Sequence, residues 1–167
     1  DMGTGMLQRA AFLHEVSEGS LRDRSGTVIV AEVGSARDLS DSHGPEAADY
    51  VVDTMAVRLR NVAGEHAILA RMTNDQFVAF LRSADLGHGR QVALAMEKAL
   101  HEPVAFGDDV LPVSGSVGVA QADGAVIDVP LSATAEVLNN VRATALASSS
   151  PVIHAVGSNR YGRRSAG

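Results

Sequence analysis

The sequence lacks cysteine, long apolar runs and an excess of positive charge. With no cysteine among 167 residues, disulfides and thiolate zinc sites are excluded. The longest apolar runs are far short of the roughly 20 residues that a membrane helix needs, so no membrane contact is expected from this stretch. The formal net charge of −6 argues against nucleic-acid binding, which depends on neutralising phosphates with Lys and Arg. These absences suit a cytoplasmic domain, either free or as the cytosolic part of a larger, membrane-anchored protein.

Several familiar kinds of site are also missing. No P-loop pattern and no Ser-His-Asp order is present. The six histidines show no metal pairing. His43 lies near Asp41 in a predicted loop, and we interpret it as a capping or solvent residue rather than a ligand.

The composition is that of one globular domain. Hydrophobic residues make up 46% and charged residues 20% of the chain, which is enough to build a core without disorder. We assign residues 1–157 to the domain and residues 158–167, which are basic and contain Gly and Ser, to a tail or linker. Because the chain starts at Asp1, we expect it to be part of a longer protein.

Helical and strand patterns interleave along the chain. Apolar residues at helical spacing predict four helices: residues 6–16 with Thr4 as N-cap, 45–62 with Pro45 in the first turn, 90–100, and 131–145. Short apolar runs predict strands at residues 27–33, 116–120 and 152–156, and hairpins at 68–81 and 104–113. A hairpin inside the chain breaks the strand-helix alternation of a doubly wound parallel sheet. The predicted class is therefore α/β (α+β), with a mixed, mainly antiparallel sheet covered by helices.

Several stretches, in the same order as in the GGDEF family, resemble that family over most of residues 1–145. Residues 1–9 resemble its D-x-L-T-G-L-x-N-R opening, residues 40–49 its N-D-x-x-G-H-x-x-G-D segment, and residues 113–120 its V-T-x-S-I-G-V-A strand. The signature turn corresponds to Thr73, Asn74, Asp75, Gln76 and Phe77. The resemblance implies a fold like nucleotide cyclases and polymerase palms. It also implies an origin in cyclases that join two GTP molecules into cyclic di-GMP with the help of divalent metals, using two facing domains.

The metal acids of the family match Glu32 and Asp75. Mg²⁺ prefers oxygen ligands in near-ideal geometry, and Glu32 is one methylene longer than the family's Asp. The resemblance therefore implies weak Mg²⁺ binding at most. The alternative is that both acids are ordinary residues at a strand end and in a turn.

The guanine-reading pair of the family matches Ser40 and Asp49. Asp49 can accept from guanine ring N–H groups, whereas a serine lacks the paired donor and acceptor of the family's Asn. Asp49 has a second interpretation, as an acid that favours the start of a helix electrostatically.

The turn itself departs from the family. Thr73 and Asn74 replace two glycines that let the backbone approach a nucleotide, although Asn tolerates a left-handed backbone and so permits the hairpin. Gln76 removes one negative charge, and Phe77 is expected to be a core residue. The resemblance also implies losses elsewhere. Gly34 replaces the second Asp of a D-x-D pair. The late phosphate-binding Lys and Arg have no clear equivalent: Arg142 is either a partial substitute or a solvated helix residue. Gly64 and Ala67 replace the inhibitory product site, which is therefore expected to be lost.

Three functions remain open. The first is a non-catalytic regulatory domain in bacterial cyclic di-GMP signalling, acting through dimerisation, a neighbouring domain such as a phosphodiesterase, or GTP binding. The second is a residual or altered nucleotide enzyme that uses Glu32 and Asp75. The third is a structural interaction module without a nucleotide.

Overall fold

The computed structural model describes residues 4–17, 25–123 and 154–156. Its helices are α1 (Arg9–Ser17), α2 (Ala36–His43), α3 (Pro45–Ala63) and α4 (Leu86–Leu100). Its strands are β1 (Leu7–Gln8), β2 (Ser25–Val33), β3 (Ala67–Arg71), β4 (Gln76–Arg82), β5 (Val104–Phe106), β6 (Asp109–Leu111), β7 (Gly115–Asp123) and β8 (His154–Val156).

Six of these strands form one sheet in the order β1-β3-β4-β2-β7-β8. The inner pairs β3–β4, β4–β2 and β2–β7 are antiparallel, whereas the outer pairs β1–β3 and β7–β8 are parallel. Strands β5 and β6 form a separate antiparallel ribbon. The predicted mixed, mainly antiparallel sheet with helices is confirmed.

The central strand β2 builds a core on each face of the sheet. Ile29, Ala31 and Val33 belong to the larger cluster, which includes the buried stripes of α3 and α4. Val28 and Val30 alternate with them and belong to the smaller cluster, which includes the apolar side of α1. Both faces of β2 are therefore covered, which explains why its sequence is a continuous apolar run instead of an alternating one.

A sharp corner joins α2 to α3 and sets the geometry of the region described below. Gly44 has a φ of 86°, a left-handed value that glycine adopts without a Cβ clash. Its backbone N–H closes α2 by donating to the carbonyl of Ser40 at 3.0 Å. Pro45 occupies the first position of α3, where its missing N–H costs no helical hydrogen bond.

The start of the chain differs from the sequence prediction. The first helix begins at Arg9 instead of residue 6, and Thr4 is not its N-cap, because Leu7 and Gln8 pair with Ala70 and Arg71 of β3. Met6 is buried although it precedes the helix, so it extends the apolar spacing of α1 beyond the first helical residue.

Helix α2 was not predicted, and it places His43 in a helix instead of a loop. Its eight residues bury only Leu39, so they carry no apolar period. The predicted helix at 131–145, Arg142 and the tail at 158–167 lie outside the described residues, while residues 154–156 confirm part of the predicted last strand.

Candidate functional site

The residues that match the family's base-reading pair meet in one cleft. Helix α2 supplies Ser40 and helix α3 supplies Asp49, and the corner at Gly44 folds one helix back against the other. The cleft has a volume of ≈ 620 Å³ and is also lined by Arg37 and by the three turn residues Thr73, Asn74 and Asp75. The site residues predicted from the sequence at positions 40, 49 and 73–75 therefore come together, although up to 35 residues separate them in the chain.

Asp49 lies beyond the first turn of α3 and lines the cleft. Asp49 is the fifth residue of α3, beyond the first turn, whereas Glu46 is the acid in that turn. The effect of the helix dipole falls off within the first turn. Asp49 is exposed and lines the cleft, so its carboxylate can accept hydrogen bonds from a ligand.

The signature turn closes by backbone hydrogen bonds and without left-handed residues. The N–H groups of Met72 and Thr73 donate to the carbonyl of Gln76 at 2.8 and 3.4 Å. Among the described non-glycine residues only Ser83 has a positive φ, so the tolerance of Asn74 for such a conformation is not used. Phe77, the last residue of the signature, is fully buried, as expected for a core residue.

Side chains occupy the turn where the family has glycines. The hydroxyl of Thr73 donates to Oδ1 of Asp75 at 2.8 Å. Thr73 and Asn74 also line a second cleft of ≈ 870 Å³, which reaches Asp53, Arg71 and the start of α1. The turn thus lies between two clefts, and Thr73 and Asn74 line both of them.

Glu32 lies in β2 and Asp75 in the turn that leads into the neighbouring strand β4, and their surroundings differ. Glu32 pairs directly with Gln76 of β4 and with Ser116 of β7, and the N–H of Val33 donates to the carbonyl of Asp75 at 2.9 Å. Strand alternation places Glu32 on the face of Val28 and Val30, whereas Asp75 lines the cleft with α2 and α3. Both acids are half-buried.

The donor set is a poor fit to the family's metal centre. In the part of the chain that the structure describes, no three His, Asp or Glu residues are grouped as they would be around a metal ion. Gly34 contributes no carboxylate at the end of β2, and Gln76 is neutral. The prediction of weak Mg²⁺ binding at Glu32 and Asp75 stays a prediction.

The positions of the family's inhibitory site lie at the other end of α3. Gly64 ends this helix with a φ of 84°, and Ala67 opens β3. Both line a separate cleft of ≈ 700 Å³ with Arg60 and Glu65. The two positions are adjacent in space but carry no side chain that could bind an anion or a base.

Sequence reasoning missed two arginines of the site. Arg37 lines the cleft beside Ser40. Arg71 contacts both the turn and α3. Its Nη2 donates to the carbonyl of Asn74 at 2.7 Å, and its Nη1 forms an ion pair with Oδ1 of Asp53 at 2.9 Å. The sequence signal for each was a positive charge close to a matched motif. Arg37 lies three residues before Ser40, and Arg71 lies two residues before Thr73.

The helices give no sign of a membrane span. Within the described ranges, none combines the length and the apolar character that crossing a bilayer requires.

Comparisons with known proteins agree with this geometry. The family model described as "Diguanylate cyclase, GGDEF domain" matches residues 1–144. An uncharacterized 19.3 kDa protein of Streptomyces ambofaciens is 29% identical over 136 residues, covering 81% of this chain and 69% of that protein. The cyclic di-GMP phosphodiesterase NbdA of Pseudomonas aeruginosa is 24% identical over 127 residues, or 72% of this chain. The chain spans only 16% of the length of NbdA.

Among solved structures, the diguanylate cyclase SiaD from Pseudomonas aeruginosa, in complex with its activator SiaC, has a TM-score of 0.82. It is 20% identical, and the alignment covers 93% of this chain and 61% of SiaD. At this identity the likeness establishes the fold. Together with the family model, which matches well over half of the chain, it leads to one conclusion: the chain belongs to the GGDEF domain family.

Proposed function

We propose that this chain is a regulatory GGDEF domain of bacterial cyclic di-GMP signalling that does not join GTP molecules. One observation carries the proposal: the hydroxyl of Thr73 is hydrogen-bonded to the carboxylate of Asp75 at 2.8 Å. A β-branched side chain thus stands where the family leaves an open backbone, and it engages the acid that the family uses for metal. The absent carboxylate at Gly34 and the neutral Gln76 further reduce the negative charge available for cations.

The cleft between α2 and α3 supports GTP as a regulatory ligand. Its ≈ 620 Å³ is within the usual range for small-molecule sites. Asp49 would accept from the guanine N–H groups, the hydroxyl of Ser40 would add a weaker contact, and Arg37 would attract phosphate. Magnesium would arrive with the nucleotide and screen phosphate charge. These residues bind and orient, and no bond-making step is required of them.

The relatives suggest how such a domain acts. SiaD was solved with an activator protein, and NbdA is named as a phosphodiesterase of which this chain spans a small part. We therefore propose a cytoplasmic domain that controls a partner, through homodimerisation or contact with a neighbouring domain such as a phosphodiesterase. GTP would bias that contact.

A synthesis assay tests the catalytic half of the proposal. The purified protein is incubated with GTP and Mg²⁺, and cyclic di-GMP is quantified by mass spectrometry against an active family member. We expect no product above the no-protein background. Clear synthesis would overturn the proposal and favour the second function, an enzyme using Glu32 and Asp75, in which Asp75→Ala would abolish turnover.

Calorimetric titration tests the binding half. Asp49→Ala should weaken GTP binding by about 5- to 150-fold, because a lost base contact is worth roughly 1–3 kcal/mol. Glu46→Ala is the matched control, since Glu46 is an exposed acid on the same helix and does not line the cleft. If the wild-type protein binds no GTP with or without Mg²⁺, the nucleotide role is wrong and a structural interaction module remains.

A further inference from the structure

Arg71 makes a concentrated set of contacts at the signature turn. Nη2 donates to the carbonyl of Asn74 at 2.7 Å and Nε to the carbonyl of Thr73 at 3.4 Å. Nη1 pairs with Oδ1 of Asp53 on α3 at 2.9 Å. One guanidinium therefore ties two consecutive turn carbonyls to a helix 18 residues earlier in the chain.

The position of the guanidinium is itself fixed. It lies 5.8 Å from the ring centroid of Phe77, which is fully buried, and the Arg71 side chain is only 23% exposed. Stacking on an aromatic face and binding through a planar fork are properties of arginine that lysine does not share. The strand pairing of Arg71 with Gln8 and Phe77 holds the backbone on both sides.

The contacts of Arg71 add to the backbone hydrogen bonds that close the turn. No residue of the turn has a left-handed backbone, so glycine is not required there, and Arg71 further restrains Thr73 and Asn74 through their carbonyls. Both residues line the cleft of Ser40 and Asp49 as well as the cleft of Asp53 and Arg71. A movement of the turn would change the walls of both clefts at once.

We infer that Arg71 is a positioning residue that fixes the signature turn, and with it the shape of the cleft proposed for GTP. Only the effect on GTP affinity rests on the proposed function. The effect on the turn follows from the contacts of Arg71 alone. The expected changes in turn stability and in GTP affinity can therefore be refuted separately.

Arg82 provides a matched control within the same hairpin. Its guanidinium lies 6.0 Å from the ring centroid of buried Phe80, and it donates to the carbonyl of Glu15 at 2.8 Å. It is 30% exposed and faces the carboxylate of Glu15 at 3.9 Å. Arg71→Gln and Arg82→Gln therefore remove similar contacts, one set at the turn and one at the opposite end of β4.

The test is amide hydrogen exchange followed by NMR. The N–H groups of Met72, Thr73 and Val33 donate to carbonyls of the turn region, so their exchange reports its integrity. In Arg71→Gln these amides should exchange roughly 10-fold faster, relative to amides in the middle of β2, because charged hydrogen bonds are lost. Arg82→Gln should leave them within about twofold of wild type.

A second variant separates loss of the guanidinium contacts from unfolding of the protein. Arg71→Lys keeps the charge beside Asp53 but lacks the fork, so it should stay folded and still show fast exchange at Met72 and Thr73. GTP affinity measured by calorimetry should fall about fivefold or more in both Arg71 variants and not in Arg82→Gln. Exchange in both Arg71 variants no faster than in Arg82→Gln would overturn the inference. If wild type binds no GTP, the proposed ligand is wrong and exchange alone decides the role of Arg71.

Discussion

At Gly34 the structure leaves room for the carboxylate that the family has there. A Cβ built there meets nothing closer than the carbonyl oxygen of Ser114 at 3.8 Å, which is ordinary contact. Its φ is not left-handed, so a side chain adds no backbone strain. The fold would therefore accommodate a carboxylate side chain at this position.

Gly34→Asp should strengthen the binding of divalent cations about 10-fold, because Mg²⁺ and Mn²⁺ prefer carboxylate oxygens and an added charge raises affinity. Calorimetry with Mg²⁺ and electron paramagnetic resonance with Mn²⁺ would measure it. Gly34→Asn has the same shape without the charge and serves as control. Equal affinities for the Asp and Asn variants would show that the end of β2 is no cation site.

At the scale of elements, α4 docks on β2 through a glycine. Thr27 of β2 is fully buried, and its Oγ1 lies 3.1 and 3.0 Å from the carbonyls of Ala84 and Asp85, just before the helix. A Cβ at Gly89 would lie 2.2 Å from Cγ2 of Thr27. The helix can approach the strand this closely only because residue 89 has no side chain.

Gly89→Ala should therefore destabilise the fold by about 1–3 kcal/mol, although alanine is ordinarily the better helix former. Gly87→Ala, two residues earlier in α4, is the control. Its Cβ would lie 3.3 Å from Oδ1 of Asp85, which caps the helix by accepting from the N–H of His88 at 2.8 Å. A shift of a few tenths of an ångström relieves this contact, so we expect a cost of at most about 1 kcal/mol, the worth of a weakened cap. Urea denaturation measures both, and equal midpoints for the two variants would contradict the close docking of α4.

For the whole molecule, one sheet separates two cores. Phe77 belongs to the cluster that includes α3 and α4, and Phe80 belongs to the cluster that includes α1. Both rings are fully buried in β4, on opposite faces. Because the strands of the sheet are shared, we expect the two cores to unfold together.

Phe77→Leu and Phe80→Leu should each cost roughly 1–2 kcal/mol, since each removes part of a buried ring. The double variant should equal the sum within about 0.5 kcal/mol, because the side chains do not share a core. Urea unfolding followed by circular dichroism should show one transition throughout. Phe106→Leu, at a half-buried ring of the β5–β6 ribbon, is the control with a smaller cost. Two separate transitions would show that the cores are independent.

Patterns that depend on neighbours in the chain were predictable. The hairpin of β3 and β4, the run of β2 and the start of α3 at Pro45 follow from local apolar spacing and turn chemistry. The α2 helix and the β1 strand were missed, since α2 buries one residue and β1 exists only through its pairing with β3. A two-residue strand has no period of its own.

The sequence by itself determined the family and identified which motif positions had changed, because those facts depend on residue types in order. It also determined that Asp49 and Asp75 keep a carboxylate and that Gly34 and Gln76 do not. Only the tertiary structure decided that Ser40, Asp49 and the turn share one cleft, while Glu32 does not line it. It alone showed Arg71 tied to Asp53 across 18 residues. Such contacts depend on how strands and helices pack, and packing distances are not written in the spacing of residues along a chain.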